Sequence, residues 1–281
     1  MTANFKLRPA GKSDKKAIEL LCGYHENVHR HLDWRSPTEW LGEQPYLLLE
    51  VDYSVQAALA CPCDPPGIAW IRFFAASPSL QLKPTWKLLF DSALDGFAQP
   101  PDEIVSVAVH PWYTRLLLDQ GFTLLQTIIV LQLNTPLLHP LLLPRELTLR
   151  AMSAADCETV AGLDHESFEV IWQNSLEATR FAYKESSYAT IAYWNQQPVG
   201  YQISSSTPFN AHLSRLAVIP GMQGKGIGSL LARDMILHYR HRGIAYITVN
   251  TQSDNEASLH LYRKLGFQLT NERFPVLRYT A

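Results

Sequence analysis

The stretch Val218-Ile219-Pro220-Gly221-Met222-Gln223-Gly224-Lys225-Gly226-Ile227-Gly228-Ser229 joins a β-rich run to a helical pattern. Glycines at alternate positions let the main chain approach a ligand closely. The helix that follows directs its unpaired N–H groups and the positive end of its dipole to the same point. This arrangement predicts an anion site, to which Lys225 adds a cation. A diphosphate is the expected occupant, because its oxygens accept several hydrogen bonds at once.

The spacing of the glycines excludes two common nucleotide motifs. They run G-x-G-x-G instead of the dinucleotide pattern G-x-G-x-x-G, and the later strand Ala245–Asn250 ends without an acidic residue. The segment also contains no G-x-x-x-x-G-K-[ST] string, which a P-loop requires. Another diphosphate ligand is therefore expected.

A second block, Asn255–Phe267, reads N-E-A-S-L-H-L-Y-R-K-L-G-F. Together with the Q-x-x-G-x-G of Gln223–Gly228, it resembles the acyl-CoA signature of the GNAT superfamily of N-acetyltransferases, over about residues 147–281. The resemblance implies an α/β fold with a mixed sheet and acetyl-CoA as co-substrate, with no metal. It also implies transfer of an acetyl group to a primary amine of a small molecule, by direct attack in a ternary complex.

The resemblance further implies roles for individual residues. Main-chain amides from Gln223 to Ser229 would hold the pyrophosphate, and the backbone of Leu216 and Val218 would pair with the pantetheine arm between two splayed strands. Tyr262 would stand near the sulfur as general acid. The coenzyme set comprises Leu216, Ala217, Val218, Gln223, Gly224, Lys225, Gly226, Ile227, Gly228, Ser229, Asn250, Asn255, Ser258 and Tyr262.

The general base is not evident, because the glutamate of many relatives has no counterpart in Ala211–Leu216. His212 aligns best with that position and has a suitable pKa near 6.5. The alternative is a surface histidine at a strand end. Alternatives also stand for Tyr262, as a core aromatic, and for Lys225, as a solvated charge.

The pattern of a short strand, a turn and an amphipathic helix occurs twice in the chain. Phe5–Arg8 matches Leu147–Arg150, and Asp14 matches Asp156, at the same offset of 142 positions. The proline-containing stretch between the copies reads as a linker. We therefore expect two tandem GNAT-like domains: a degenerate domain at 1–135, a linker at 136–145 and a catalytic domain at 146–281.

The first copy lacks the ligand chemistry. Pro78–Trp86 follows its strand without a single glycine, and Leu117 and His110 occupy the positions that correspond to the acid tyrosine and the motif asparagine. Bulky side chains leave no space for a pyrophosphate, and prolines lack the N–H groups that would donate hydrogen bonds to it. This half is expected to bind no acetyl-CoA.

Acceptor choice in this family comes from the segment after the first strand, here Leu163–Trp172. Its aromatic Phe168 and Trp172 lie beside the acidic Glu166 and Glu169, a mixture that suits an amine on a partly apolar body. The alternative is an amphipathic helix that buries its aromatics within its own domain.

The 281 residues carry 24 basic and 26 acidic side chains, so no strong field favours nucleic acid or a membrane surface. With no signal peptide and no span of about 20 apolar residues, a cytoplasmic protein is expected. Its four cysteines would be reduced thiols, without zinc at Cys61 and Cys63.

Three further alternatives stay open. The missing acidic base allows a non-catalytic acyl-CoA sensor or interaction protein. The acceptor could also be a protein amine, and a nucleotide could bind in place of coenzyme A. A monomer and a homodimer are both compatible with the sequence.

Overall fold

The computed structural model describes residues 4–24, 26–134 and 144–280. Most of the predicted linker at 136–145 therefore lies outside the described residues. The chain divides into two compact units: unit 1 is Met1–Gln126 with Phe274–Ala281, and unit 2 is Thr127–Arg273. Among the described residues, no helix has the length and hydropathy needed to span a membrane.

The described residues of unit 1 form three α-helices and seven complete strands. The helices are α1 (Lys15–Cys22), α2 (Leu82–Asp95) and α3 (Pro111–Asp119). The strands are β1 (Phe5–Pro9), β2 (Val28–Arg30), β3 (Tyr46–Val51), β4 (Ser54–Ala60), β5 (Ile68–Trp70), β6 (Phe73–Ala76) and β7 (Glu103–Val107). Five of them form a sheet in the order β1-β3-β4-β6-β2, and β5 pairs in parallel with β7.

The described residues of unit 2 form four α-helices and the following strands, of which β8 and β14 extend into unit 1. The helices are α4 (Cys157–Ser167), α5 (Leu176–Glu185), α6 (Ile227–His241) and α7 (Glu256–Lys264). The strands are β8 (Phe122–Leu133), β9 (Leu147–Ala151), β10 (Tyr188–Trp194), β11 (Gln197–Ser206), β12 (Asn210–Val218), β13 (Tyr246–Gln252) and β14 (Phe267–Tyr279). In the sheet, adjacent strands follow the order β8-β13-β12-β11-β10-β9.

The two copies of the sequence repeat begin with the same contacts. Arg8 Nη2 lies 2.8 Å from Asp14 Oδ1, and Arg150 Nη2 lies 2.7 Å from Asp156 Oδ1. Each aspartate also accepts the N–H three residues before it, from Gly11 and from Ser153, at 2.8 Å. The offset of 142 seen in the sequence therefore corresponds to a repeated capped entry into a helix.

Two strands belong partly to each unit. Strand β8 begins in unit 1, and its residues Ile128–Leu133 pair with β13 inside unit 2. The sequence predicts a final pair of strands after Gly266, but this prediction was wrong, because β14 is continuous from Phe267 to Tyr279. Pro275 lies within this strand, and its carbonyl accepts the Ala108 N–H at 2.9 Å.

The core of unit 2 lies between its sheet and helices α6 and α7. Alternate residues of β12 and β13 enter it, so their neighbours point to the opposite face of the sheet. The buried members from these two strands are Ala211, Leu213, Ile247 and Val249. His212, Thr248 and Asn250 therefore share the other face.

Candidate active site

Strands β12 and β13 separate at one end of the sheet of unit 2. They pair in parallel from Asn210↔Tyr246 to Leu213↔Val249, and no further. Beyond that point β12 continues beside β11 to Val218, while β13 continues beside β8 to Gln252. A wedge therefore opens between Ser214–Val218 and Asn250–Gln252, where the resemblance to the GNAT superfamily implies splayed strands.

The edge of β12 that faces this wedge carries backbone groups without a strand partner. A register shift against β11 leaves Ser214 as the extra residue of a bulge. The Ile219 N–H donates to Val199 O at 3.0 Å, so this pair is of the hydrogen-bonded type. Because such pairs alternate, Leu216 and Val218 direct their N–H and C=O groups toward the wedge.

The glycine turn lies at the mouth of the wedge. Gly224 and Gly226 have φ of +75° and +81°, a left-handed conformation that other residues rarely adopt. A Cβ placed on either residue meets no atom within 4 Å. The turn is therefore bare and exposed, and Gly226 is the N-cap of α6.

The amides of this turn lack acceptors within the described part of the chain. Across the described residues, the N–H groups from Gly224 to Ser229 donate to no carbonyl and no side chain, and the first bond of the helix is Leu230 N–H to Gly226 O at 3.0 Å. Gln223 differs from the prediction, because its N–H donates to Pro220 O at 3.2 Å. Its side-chain amide instead donates to Val218 O at 2.9 Å, which ties the turn to the strand.

Gly228 has a packing role in addition to its place at the helix N-terminus. A Cβ there would lie 3.4 Å from Leu261 Cδ2 and 3.6 Å from Leu216 Cδ2. Neighbouring Ile227 is 1% exposed and belongs to the apolar cluster with Val218. These contacts bring α6 against β12 and hold the turn in position.

Lys225 is exposed on the turn. Its Nζ lies 3.4 Å from Met222 Sδ and 5.1 Å from the centre of the Trp194 ring. The ammonium therefore forms no ion pair with a described residue and remains beside the amides of the turn.

Tyr262 lies on α7 with its ring in the core. The residue is 4% exposed, and its ring centre is 5.6 Å from that of Phe267. Its hydroxyl forms no hydrogen bond with a described residue. Burial raises the pKa of this phenol above its ordinary value, which keeps it protonated.

Asn255 begins α7 as its N-cap. Its Oδ1 accepts the Ser258 N–H at 3.0 Å, and this leaves the Nδ2 group of Asn255 for another partner. Asn255 and Ser258 are both half-buried. They lie at the end of the loop that follows β13, on the other side of the wedge from β12.

His212 lies next to the point where the strands separate. Its Nδ1 is 2.8 Å from Thr248 Oγ1, and its Nε2 is 3.2 Å from Asn250 Oδ1. An amide oxygen only accepts, so Nε2 carries the hydrogen and Nδ1 accepts from the threonine. Desolvation lowers the pKa of His212, while the bond to Asn250 acts in the opposite direction. The imidazole is thus neutral near pH 7.

Sequence reasoning missed a buried ion pair beside the wedge. Asp164 of α4 is 0% exposed and receives Nε and Nη2 of Arg215 at 2.7 and 2.9 Å. An arginine directly before the apolar residues Leu216–Val218 of a core strand was the available signal, because a buried charge there requires an acceptor. The pattern alone does not say which carboxylate supplies it.

The predicted acceptor segment is partly helix and partly loop. Residues up to Ser167 belong to α4, and Val170–Trp172 forms a short 3-10 turn. Glu166 and Glu169 are exposed, whereas Phe168 is half-buried beneath the Arg215 guanidinium, whose Cζ lies 3.8 Å from the ring centre.

Unit 1 has a similar separation of strands, but its own chain fills the gap. After β5 pairs with β7, the Ile71 N–H still donates to Val105 O, and β6 then turns away. Strand β2 pairs with Phe73–Ala75 of β6. Strand β2 therefore occupies the edge of β6 to which a ligand would otherwise pair. Leu117, at the position that corresponds to Tyr262, is fully buried.

No metal centre is found among residues 4–24, 26–134 and 144–280, where no three His, Cys, Asp or Glu side chains gather closely enough to hold an ion. The four cysteines are free thiols, and Cys61 is buried while Cys63 is exposed.

The sequence is similar to a family of acetyltransferases and to individual acetyltransferases of named activity. The model of the acetyltransferase (GNAT) family matches residues 157–267. The chain is 32% identical over 127 residues to the N-alpha-acetyltransferase RimI of Mycobacterium tuberculosis, covering 43% of this chain and 78% of that protein. It is 38% identical over 53 residues to the mycothiol acetyltransferase of Rhodococcus jostii, covering 19% of this chain and 17% of that protein.

Solved structures share the fold over nearly the whole chain. A tandem GNAT protein from the clavulanic acid biosynthesis pathway has a TM-score of 0.66 at 15% identity, covering 98% of each chain. A GCN5-related N-acetyltransferase from Sphaerobacter thermophilus has a TM-score of 0.60 at 16% identity, covering 98% of this chain and 95% of that chain. The predicted fold class, α/β with two tandem GNAT-like domains, is confirmed.

Proposed function

The chain belongs to the acetyltransferase (GNAT) family and is an N-acetyltransferase, and we propose that unit 2 acetylates a primary amine of a small molecule by direct attack in a ternary complex. Acetyl-CoA is the co-substrate of this family. One observation carries the proposal: β12 and β13 separate beside a bare glycine turn whose amides lack acceptors in the described chain. An extended, diphosphate-bearing ligand matches both features.

The residues around the wedge fit such a co-substrate. The amides of Gly224–Ser229 would receive the pyrophosphate, with Lys225 as an adjacent cation. Leu216 and Val218 would pair with the pantetheine arm as an added strand, Ala217 between them bonding β11 instead. Asn255, through its remaining Nδ2 group, Ser258 and Asn250 would line the opposite side.

Acetyl transfer to an amine requires placement and two proton transfers. When bound, the co-substrate supplies the activated acetyl group. The Val218 N–H is placed to stabilise charge that develops on an acyl oxygen in the wedge. Tyr262 is the proposed proton donor to the departing thiolate, and its raised pKa keeps that proton available at neutral pH.

His212 is the proposed base. It is neutral near pH 7, as a base must be, and its Nδ1 lone pair is bonded to the Thr248 hydroxyl at 2.8 Å. The hydroxyl has a second acceptor, Ala211 O, at 3.5 Å. If the hydroxyl turns to that carbonyl, Nδ1 becomes able to take a proton, directly or through a water.

Unit 1 would bind no acetyl-CoA. This part of the proposal is supported by β2, which occupies the strand edge that stays open in unit 2, and by the lack of glycine in the turn after β6. One coenzyme site per chain is therefore expected.

The proposal is tested by thiol release from acetyl-CoA with a panel of amines: spermidine, glucosamine, tryptamine and lysine methyl ester. Wild-type protein should release thiol with at least one of them, and Tyr262→Phe should lower kcat by about 100-fold or more. Because the hydroxyl bonds no described residue, the variant should melt at the wild-type temperature. Binding of acetyl-CoA without thiol release would favour the sensor instead.

A protein amine is the second candidate acceptor. It is favoured by the 32% identity to RimI, which is named an N-alpha-acetyltransferase and of which the alignment covers 78%. Assays with peptides that have free or blocked N-termini distinguish a protein acceptor from a small-molecule acceptor. A mass increase on free N-termini, without thiol release from any small amine, would support this candidate.

A further inference from the structure

Asp164 gathers donors from three separate parts of unit 2. Arg215 of β12 donates twice, the Tyr201 hydroxyl of β11 donates once, and the Asn174 N–H donates at 2.7 Å. The carboxylate is fully buried, and the Arg215 side chain is 14% exposed. A buried carboxylate requires such partners, so the three parts are held in one arrangement.

Arg215 connects this carboxylate to the loop that follows α4. Its Nη2 also donates to Trp172 O, and its guanidinium lies over the Phe168 ring. Arg215 follows the bulge residue Ser214 and precedes Leu216, whose backbone faces the wedge. One side chain on the wedge strand thus holds the start and the end of Phe168–Trp172, and Asp164 holds Asn174 just beyond.

A buried ion pair is weak evidence for a purely stabilising role. Desolvation of two charges offsets most of their attraction, and apolar residues of similar size often replace a buried pair at no loss of stability. The pair also leaves no positive charge to repel an ammonium ion, while the exposed Glu166 and Glu169 lie on the same segment. An amine with an apolar body suits such a surface.

We propose that the Asp164–Arg215 pair is a positioning element that fixes Phe168–Asn174 against β12 and thereby sets the affinity for the acceptor amine. This inference rests on the proposed function, since it concerns the acceptor side of the same site. The two residues do not touch the reacting atoms. Their effect is exerted through the loop, so it falls on the acceptor KM and leaves coenzyme binding unchanged.

The test replaces both charges, as Asp164→Leu with Arg215→Met, and uses the amine that wild type acetylates fastest among the four named above. The acceptor KM should rise about tenfold or more, because a loop displaced by about 1 Å is enough for such a loss. The Kd for acetyl-CoA, measured by calorimetry, should stay within twofold. An acceptor KM within twofold of wild type, in a variant that melts normally, overturns the inference.

Two further variants keep the test decisive if the double variant does not fold. Phe168→Leu removes the stacking contact with the Arg215 guanidinium and should raise the acceptor KM about threefold. Glu177→Gln with Arg180→Met removes an exposed ion pair of α5, at 3.4 Å, and should leave KM unchanged. If Phe168→Leu and the Glu177/Arg180 double variant have the same acceptor KM, the inference is overturned while the proposed function stands. A wild-type protein that acetylates no amine overturns the proposed function as well.

Discussion

The His212 ring and the Asn250 side chain join the two strands at the point where they separate. Nε2 of His212 lies 3.2 Å from Asn250 Oδ1, although the last backbone pair is Leu213↔Val249. Asn250 was predicted as a contact of the pantetheine arm, and in the structure its amide oxygen is directed to the histidine. The neutral tautomer of His212 is fixed by this bond.

Variants of Asn250 should therefore shift the pH dependence of acetylation. A carboxylate beside the ring favours the imidazolium, so Asn250→Asp raises the pKa of His212, and the acid limb of kcat/KM moves to higher pH. Asn250→Ala removes a contact that raises this pKa, and the limb moves to lower pH. The ratio of each profile to wild type cancels the titration of the amine. Superimposable profiles would remove His212 from proton transfer.

Substitutions at Gly228 should depend on size. Alanine places its Cβ at 3.4 Å from Leu261 Cδ2, an ordinary contact, and should change the free energy of unfolding by less than about 0.5 kcal/mol. Leucine must displace Leu216 or Leu261 and should cost about 1–3 kcal/mol. Urea denaturation measures both. Equal stability of the two variants would show that the contact between α6 and β12 is loose.

The buried His29 should make unit 1 sensitive to acid. Burial lowers the pKa of its imidazole from 6.5 to about 3. The unfolded chain then binds a proton that the folded chain does not, so stability falls as the pH drops from about 6.5 toward 3, by an upper bound of about 5 kcal/mol. In His29→Phe, which retains the stacking on Tyr113, the unfolding free energy should depend less steeply on pH. The same slope of unfolding free energy against pH in wild type and His29→Phe would contradict this prediction.

A fragment that starts at residue 146 should not fold. It lacks Ile128–Leu133, which pair with Ile247–Gln252 along the whole edge of β13. That edge would then expose unpaired backbone and part of the core. A fragment of residues 127–281 restores the strand and should show more native circular dichroism. Cooperative unfolding of the shorter fragment would contradict the assignment of Ile128–Leu133 to the fold of unit 2.

The local features of the site could be predicted from the sequence. The turn at Gly224 and Gly226 requires positive φ, and α7 begins at Asn255 with a capping side chain, so residue type alone determines both. The wedge was foreseen through the resemblance to a family. Its geometry follows from the end of strand pairing at Leu213.

Long-range pairings could not be predicted in the same way. The partner of Arg215 lies 51 positions away on α4, and β2 reaches β6 across more than 40 residues. The sharing of β8 and β14 between units depends on such pairings too. Periodicity reports which residues are buried, but not which strand or carboxylate they meet.

The central claim is most directly tested by titrating the full chain with acetyl-CoA in a calorimeter. Wild type should take up one equivalent, and Gly226→Val should bind at least about 50-fold more weakly, because a β-branched residue at φ +81° distorts the turn. Gly243→Val is the matched control, with φ +79° at the other end of α6, and should bind like wild type. Two equivalents in wild type, or undiminished binding by Gly226→Val, would contradict a single coenzyme site at this turn.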